Sequence, residues 1–482
     1  MTFHPRFPPC GVFIRFIFLS AIFKTSIAMT VPKCPASGAS STPESKCPFT
    51  GPTKVMSYPN AAKTNDKGII TGLTNKRSSD GMGLPDAISP SNIDLIVATA
   101  PVVAPRMLDI TKCFYTNVLG KHPELLQFFN PAHNVPVSDH QPKALAASVV
   151  AYATNITDLS PLLVPGGAVE AICNRHVALS LYPMQYVVVH ENLMNAIGEI
   201  LGDIVTPEIA GAWSEAVLFL AKVFIDKEEA IYKKIEEREG GWSGFAEFEV
   251  SKIKDMTADG LVKQVSFKPP AGSPLEGKNF DFTAGQYISL QIDIDGDGRT
   301  APRHYTCTSP VGADYLQCTI KKNRGGKMST YVHEYLEVGH KVTLATPVGV
   351  FTAPETPTPA VLMSAGIGVT PMVNLQRNLG ENVKLVVNVC RSEENHAYKE
   401  FFEEAGSDTL FKYTSLTGRP TANELAQETI DKAGTDNEFY VCGPEFWMSD
   451  IQDALVSKGA KKVICEVFGS QLATGCPFFT SS

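Results

Sequence analysis

A chain of 482 residues has room for roughly three domains, and a hydrophobic fraction of 44% lets each bury a core. The net charge of -8 argues against a nucleic-acid partner, which needs a basic face, and with only 19% charged residues there is no long polyelectrolyte tail. Eleven cysteines, an odd number with no C-x-x-C pair, argue against a disulfide framework or structural zinc and for a reducing compartment.

The apolar run from Phe16 to Phe23, between Arg15 and Lys24, is too short to span a bilayer. With Ser26-Ile27-Ala28 behind it, the run reads as a signal peptide. The lack of any acidic residue before Glu44 equally fits a mitochondrial presequence, and Met29 is an alternative start. From Thr30 to about Pro90 the chain is rich in Pro, Ser, Thr, Gly, Lys and Asn without periodicity, so residues 1–90 are expected to be a disordered extension. Cys34-Pro35, Cys47-Pro48 and Cys476-Pro477 lie in the two ends. A Cys-Pro pair can sense haem, but chance explains these in a chain with 34 prolines.

Residues 91–239 read as an all-α domain. Apolar residues recur at helical spacing in Trp213, Val217, Leu220, Phe224 and Ile231, and Gly120, Pro123, Pro131, Gly166-Gly167, Pro183 and Pro207 punctuate the pattern. After Gly240-Gly241 the pattern changes to short β-rich segments: Phe245 to Ile253, Leu261 to Phe267, Gln286 to Ile294, Tyr315 to Lys321 and Lys341 to Ala345. Residues 240–355 therefore predict an antiparallel β-barrel. Residues 356–470 alternate apolar strands (Ala360 to Ser364, Val383 to Val389, Glu438 to Cys442, Lys462 to Val467) with helical stretches, the α/β signature of a parallel sheet. Residues 471–482 read as an irregular tail.

Three polar residues sit on apolar helical stripes. His176 follows Val169, Ile172 and Cys173; Glu228 falls on the stripe of Trp213 and Phe224; Gln141 shares one with Leu145, Val149 and Tyr152. A buried carboxylate needs a partner, and a histidine beside one is a usual metal-ligand arrangement. Each also has a structural reading: a satisfied core histidine, a carboxylate at the solvent edge, and a capping-box glutamine in Ser138-x-x-Gln141 with Pro142.

Longer stretches decide between these. Cys113 to Asn130, Asn174 to Tyr186 and Val223 to Tyr232 resemble three helical regions of flavohemoglobin globin domains. Arg303-His304-Tyr305-Thr306 resembles the R-x-Y-[ST] motif of the ferredoxin–NADP reductase family, and Gly285-Gln286-Tyr287 resembles a second flavin-contacting turn. Gly325-Gly326-Lys327-Met328-Ser329 resembles the loop that cradles the FAD pyrophosphate with bare N–H groups at a helix start. Ser364 to Met372, containing Gly366, Gly368, Val369, Thr370 and Pro371, resembles the nicotinamide-domain turn S-A-G-x-G-x-T-P-M. Cys442-Gly443-Pro444 and Glu466-Val467-Phe468-Gly469 resemble the motifs that close that module.

The resemblance covers about Ser91 to Ser470. It implies an all-α globin, an antiparallel FAD barrel and an α/β nicotinamide domain. His176 would be the iron ligand, with Tyr186 and Glu228 on its second ring nitrogen. Tyr115 and Gln141 would hydrogen-bond oxygen on the distal face, with Phe129 against the porphyrin and Leu145 over the ligand. A one-residue shift would put His140 at the distal position; the ungapped match from Gln141 through Leu145 to Asn155 favours Gln141. Arg175 stands where the family often has Lys, near the flavin. Arg303 would neutralise the pyrophosphate and Tyr305 lie on the flavin. Thr306 would reach flavin N5, Cys442 lie near the nicotinamide, and Phe468 cover the flavin.

The implied function is a nitric oxide dioxygenase: NAD(P)H reduces FAD, FAD reduces haem b, and nitric oxide and O₂ become nitrate. A globin-based sensor and a flavin or ferric reductase with incidental haem are the alternatives. NADH is favoured over NADPH, although Arg391 and Ser392 could touch a 2′-phosphate. The protein is expected to be a cytoplasmic monomer with no nucleic-acid partner and no membrane span, mitochondria being the alternative location.

Overall fold

The computed structural model describes residues 63–64, 70–71, 77–296 and 300–466. The Phe16–Phe23 run, Met29, the Cys-Pro pairs, Phe468 and the tail lie outside the described residues.

The helical domain contains α1 (Pro90–Val103), α2 (Met107–Lys121), α3 (His140–Thr154), α4 (Ala168–Ala178), α5 (Pro183–Leu201) and α6 (Pro207–Glu236). Pro183 and Pro207, read as breakers between segments, sit at helix boundaries and open α5 and α6, where the missing N–H is an orphan anyway. Ile96, Ile110, Phe114, Ile197 and Trp213 interlock in its core. Among the described residues no helix is long and apolar enough to cross a membrane.

The expectation of an extension without structure up to Pro90 fails for its last part. Residues 63–64 pair antiparallel with 70–71. From Arg77 the chain packs on the globin: Ile88 joins the core and Ser89 binds Glu215 through its hydroxyl (2.7 Å). One buried apolar side chain and several long-range hydrogen bonds hold this strap, and none of them shows as periodicity.

The barrel has strands β1 (Phe245–Asp255), β2 (Val262–Lys268), β3 (Tyr287–Gln291), β4 (Arg303–Thr306), β5 (Leu316–Lys321) and β6 (Lys341–Val348), with helix α7 (Lys327–Glu334). All pairs are antiparallel, in the order β4-β3-β6-β1-β2-β5. An isolated bridge between Cys307 and Cys318 brings the two edges together.

The third domain has β7 (Ala360–Ala365), α8 (Val369–Leu379), β8 (Val383–Cys390), α9 (Lys399–Glu404), β9 (Asp408–Tyr413), α10 (Thr414–Thr417), α11 (Ala422–Ala433), β10 (Glu438–Cys442), α12 (Glu445–Ser457) and β11 (Lys462–Glu466). The sheet is wholly parallel, in the order β9-β8-β7-β10-β11, so the chain reverses direction of growth beside β7. That switch point is where open α/β sheets bind ligands. β9 escaped the sequence reading because it is an edge strand in which only Leu410 is buried.

Globin and barrel share a small apolar core. Val177 and Ala178 of α4 and Tyr232 and Ile235 of α6 pack with Val348, and Ile231 and Tyr287 pack against them.

Candidate functional site

α4 presents His176 in its last turn, α5 presents Tyr186 near its start, and α6 presents Glu228 on its buried stripe. With its proton on Nδ1, His176 donates to Glu228 Oε1 at 2.7 Å, and the same nitrogen lies 2.8 Å from the Tyr186 hydroxyl. That hydroxyl also donates to Glu228 Oε1. Glu228 is 4% exposed, so this pair of donors is what makes its burial tolerable. Burial and the Glu228 charge push the Tyr186 phenol up, which keeps it a donor. Phe224 stacks on Tyr186 (6.2 Å, 18°) and lies 5.7 Å from the His176 ring. With Nδ1 committed, Nε2 is the nitrogen left to offer a metal, and the donor set would fit a protein ligand to haem iron.

On α2, Tyr115 is buried and its phenol is pushed up by burial, while a hydrogen bond with the Gln141 side chain pulls the other way. Phe129 meets the Tyr115 ring edge-on at 5.5 Å. Gln141 is not part of a capping box: Asp139 is the N-cap of α3 and Ser138 Oγ accepts from the His140 N–H. His140 is exposed and lies beside His133 (5.8 Å). Phe129 and Leu145 pack against the globin core yet stay half-buried, so each keeps an apolar face that a porphyrin would cover.

On the barrel, Tyr287 pairs with Thr306 and Ser289 with His304. His304 Nδ1 lies 2.8 Å from Ser289 Oγ, and its ring is 5.0 Å from Tyr287. Arg303 donates to the carbonyls of Ala301 (2.9 Å) and Pro302 (3.0 Å), and burial pulls its guanidinium down, a setting that favours an anionic partner. Gln286 accepts from Thr283 N and from Arg238 (3.1 Å). In the turn before α7, a Cβ on Gly326 would sit 2.6 Å from Ser329 Oγ. Lys327 pairs with Asp295, and Met328 and Ser329 are buried. A cation drawn from water, a Tyr-Thr strand and a bare-backbone helix start fit FAD.

At the sheet's switch point Ser364, Cys442 and Glu466 stand abreast on β7, β10 and β11. The two glycine turns touch: a Cβ on Gly368 would come within 2.2 Å of the Cys442 carbonyl oxygen, and one on Gly443 within 2.8 Å of the Trp447 ring. Thr370 Oγ1 donates to Ile367 O (3.1 Å), and Val369 and Pro371 open α8. Pro444 caps α12. Burial, with Glu466 and Cys465 nearby, pushes the Cys442 thiol up and holds it protonated. Burial raises Glu466 to about 7, and Arg175 opposes the shift. Arg175 also hydrogen-bonds Tyr287, so it links the His176 helix to the barrel and to β11.

Sequence reading missed Asn174, whose Oδ1 accepts from Gly349 N across the domain joint (3.0 Å), and Arg238, which reaches Gln286. Asn174 had a usable signal, a buried polar residue within the matched proximal stretch. Arg238 had none.

A helical haem-binding domain continuous with a flavin and nicotinamide module defines a single-chain haem–flavin oxidoreductase. Residues 112–224 match the Globin family, and residues 262–352 match the Oxidoreductase FAD-binding domain family. Flavohemoprotein A of Dictyostelium discoideum is 31% identical over 80% of this chain and 98% of its own length. The flavohemoprotein of Bacillus cereus is 32% identical over 79% of this chain and 98% of its own. The crystal structure of the Malassezia yamatoensis flavohemoglobin, with bound FAD and haem, superposes with a TM-score of 0.69 at 28% identity, covering 80% of this chain and all of that one. The chain belongs to the flavohemoprotein family. It is an NAD(P)H-dependent oxidoreductase whose cofactors are haem and FAD, and nitric oxide dioxygenation is the standard activity of that family.

Proposed function

We propose that this chain converts nitric oxide and O₂ to nitrate with electrons from NADH, through the residues named above. When bound, haem supplies the iron at which the gases combine, and FAD supplies the passage from a hydride donor to single electrons. The bonded set of His176, Tyr186 and Glu228 carries the reading. A carboxylate on Nδ1 makes the imidazole a stronger electron donor, which a reductase with incidental haem does not need. On the other side, Tyr115 and Gln141 supply fixed donors for developing negative charge, with Phe129 and Leu145 keeping that space apolar.

In the reductase half, Arg303 and the turn from Gly325 to Ser329 would hold the pyrophosphate, while Tyr305, Gln286, Tyr287 and His304 would frame the flavin. Thr306 would offer it a hydroxyl. Ser364, Cys442 and Glu466 would orient the nicotinamide, with the Gly366–Pro371 and Gly443-Pro444 turns as its seat. Ser392 Oγ is engaged with Asn395 (2.7 Å), and Glu393 and Glu394 follow at once, which favours NADH over a 2′-phosphorylated nucleotide. The protein acts as a cytoplasmic monomer, where NADH is supplied.

The test is nitrate formed per NADH oxidised by the haem- and FAD-loaded protein under nitric oxide and air. One nitrate from one nitric oxide and one O₂ takes up a single electron, so about two nitrates per NADH are expected. NADH oxidation that yields peroxide and no nitrate would refute the reading.

A further inference from the structure

Arg77 lies in the strap before α1 and has no part in the chemistry above. Its Nη1 donates to the Leu181 carbonyl (2.6 Å) and the Tyr232 hydroxyl (3.0 Å), and its Nη2 to Ser180 Oγ (2.9 Å). Its Cζ is 3.7 Å from the Tyr182 ring centroid and 4.2 Å from that of Tyr232. The guanidinium is therefore fixed by its fork and by two aromatic faces, a combination that lysine cannot reproduce.

Each partner belongs to an element bearing one proximal group. Ser180 and Leu181 form the turn leaving α4, and the Leu181 N–H donates back to the His176 carbonyl (3.0 Å). Tyr182 is the N-cap of α5, four residues before Tyr186. Tyr232 lies one turn beyond Glu228 on α6 and also donates to the Val177 carbonyl (3.5 Å).

The turn needs holding. Ser180 has φ 57°, a left-handed conformation that a residue with a Cβ rarely adopts unsupported. The barrel closes the far side, where a Cβ on Gly244 would lie 3.3 Å from Ser180 Oγ and 3.7 Å from Arg77 Nη2. The strap itself is tied to α6, the helix of Glu228. Ser79 donates to Asp226 (2.5 Å), and Lys222 lies 3.8 Å from Asp86.

We propose that Arg77 is a positioning residue of the haem site: by locking the 180–182 turn to Tyr232 it makes Tyr186 and Glu228 converge on His176 Nδ1. This rests on His176 being the iron ligand. The strap is then part of the catalytic globin and not a passive leader.

The test uses the full chain loaded with haem and FAD, in the forms Arg77→Ala, Arg77→Lys, Glu228→Gln and Asp86→Ala. The readouts are the iron–histidine stretching band of the ferrous deoxygenated protein, amide exchange over 177–186, and haem transfer to an acceptor apoprotein. Arg77→Ala should move the band in the same direction as Glu228→Gln, speed exchange at Leu181, and speed haem loss about tenfold. Arg77→Lys, which keeps the charge without the fork, should show most of the same shift, and this decides the matter if Arg77→Ala does not retain haem. Asp86→Ala, which removes only an exposed ion pair of the strap and leaves the Arg77 contacts intact, should leave the band in place. A purely structural strap would lower Tm in both Arg77 variants while band and exchange stay at parental values, and that result overturns the proposal. If the band is also unmoved in Glu228→Gln, the proposal falls together with the reading of His176.

Discussion

Tyr186→Phe removes one oxygen from the centre of the proximal network and almost no volume. The ring keeps its stack on Phe224 at 6.2 Å and its edge contact with His176 at 5.9 Å, so packing survives. What is lost is the phenol's bond to Glu228 Oε1 and its approach to His176 Nδ1. Glu228 is 4% exposed, so water cannot readily replace the donor. A hydrogen bond to a charged group is worth about 1.5–3 kcal/mol. Taking about 2 kcal/mol in a domain of this size, the globin transition should fall by about 4–8 °C. Nitrate production should fall about tenfold or more, as for other outer-shell partners of a metal ligand. A double-mutant cycle with Glu228→Gln, read by thermal unfolding of the haem-loaded protein, isolates the pair. Coupling of about 1 kcal/mol or more is expected, because both changes act on one bond. If the two variants add to within about 0.5 kcal/mol, the phenol and carboxylate are not partners and the proximal argument fails.

The other predictions concern the distal face, the nicotinamide seat and the domain joint. Tyr115→Phe should speed O₂ dissociation, followed by stopped flow, by roughly five- to tenfold for one lost hydrogen bond, whereas His140→Ala, altering an exposed ring beside His133, should do nothing; the reverse pattern would show that the register is wrong. Glu466 is neutral below about pH 7 and charged above it, and a carboxylate stabilises the positive charge that nicotinamide gains on giving up hydride. Flavin reduction by NADH should therefore rise through pH 7 and become flat in Glu466→Gln, and an inflection that persists in the variant rules Glu466 out as its source. Gly349→Ala would place a Cβ 3.0 Å from the Tyr287 ring beside the Asn174 bond. It should slow haem reduction by NADH more than flavin reduction, and equal slowing of both steps would place the defect elsewhere.

The legible parts of the sequence were those where chemistry and local pattern coincide. His176 and Glu228 stand out because a polar residue on an apolar helical stripe has a cost that must be met, and the fold meets it with a direct bond between them. The glycine turns stand out because close backbone approach admits no other residue, as the Gly368–Cys442 contact shows. β9 was hidden because an edge strand buries one side chain and so carries no apolar run. Arg77 was hidden for a different reason. Its partners lie more than a hundred residues away, and its neighbours Asn75, Lys76 and Ser78 give no period by which a helix or strand would announce them. Long-range anchoring of an irregular segment leaves no local mark.

The joint between the two halves gives a physical reason for the proposed iron ligand to sit on α4. Successive helical residues point about 100° apart, so three neighbours on α4 can serve three different partners. Asn174 accepts from Gly349 of the barrel, Arg175 reaches Tyr287 and Glu466, and His176 turns to Tyr186 and Glu228. One turn of helix thus carries the proposed iron ligand and two residues in polar contact with the flavin module, while Val177 and Ala178 behind them fill the shared apolar core. A displacement of the barrel must move this turn, and a displacement of this turn must move His176 against its carboxylate. Arg77 grips the same stretch from outside at Ser180 and Leu181. On the proposed assignment of His176, the electronics of the iron ligand and the docking of the reductase are not separable properties of this chain: both are set by where residues 174–182 are held.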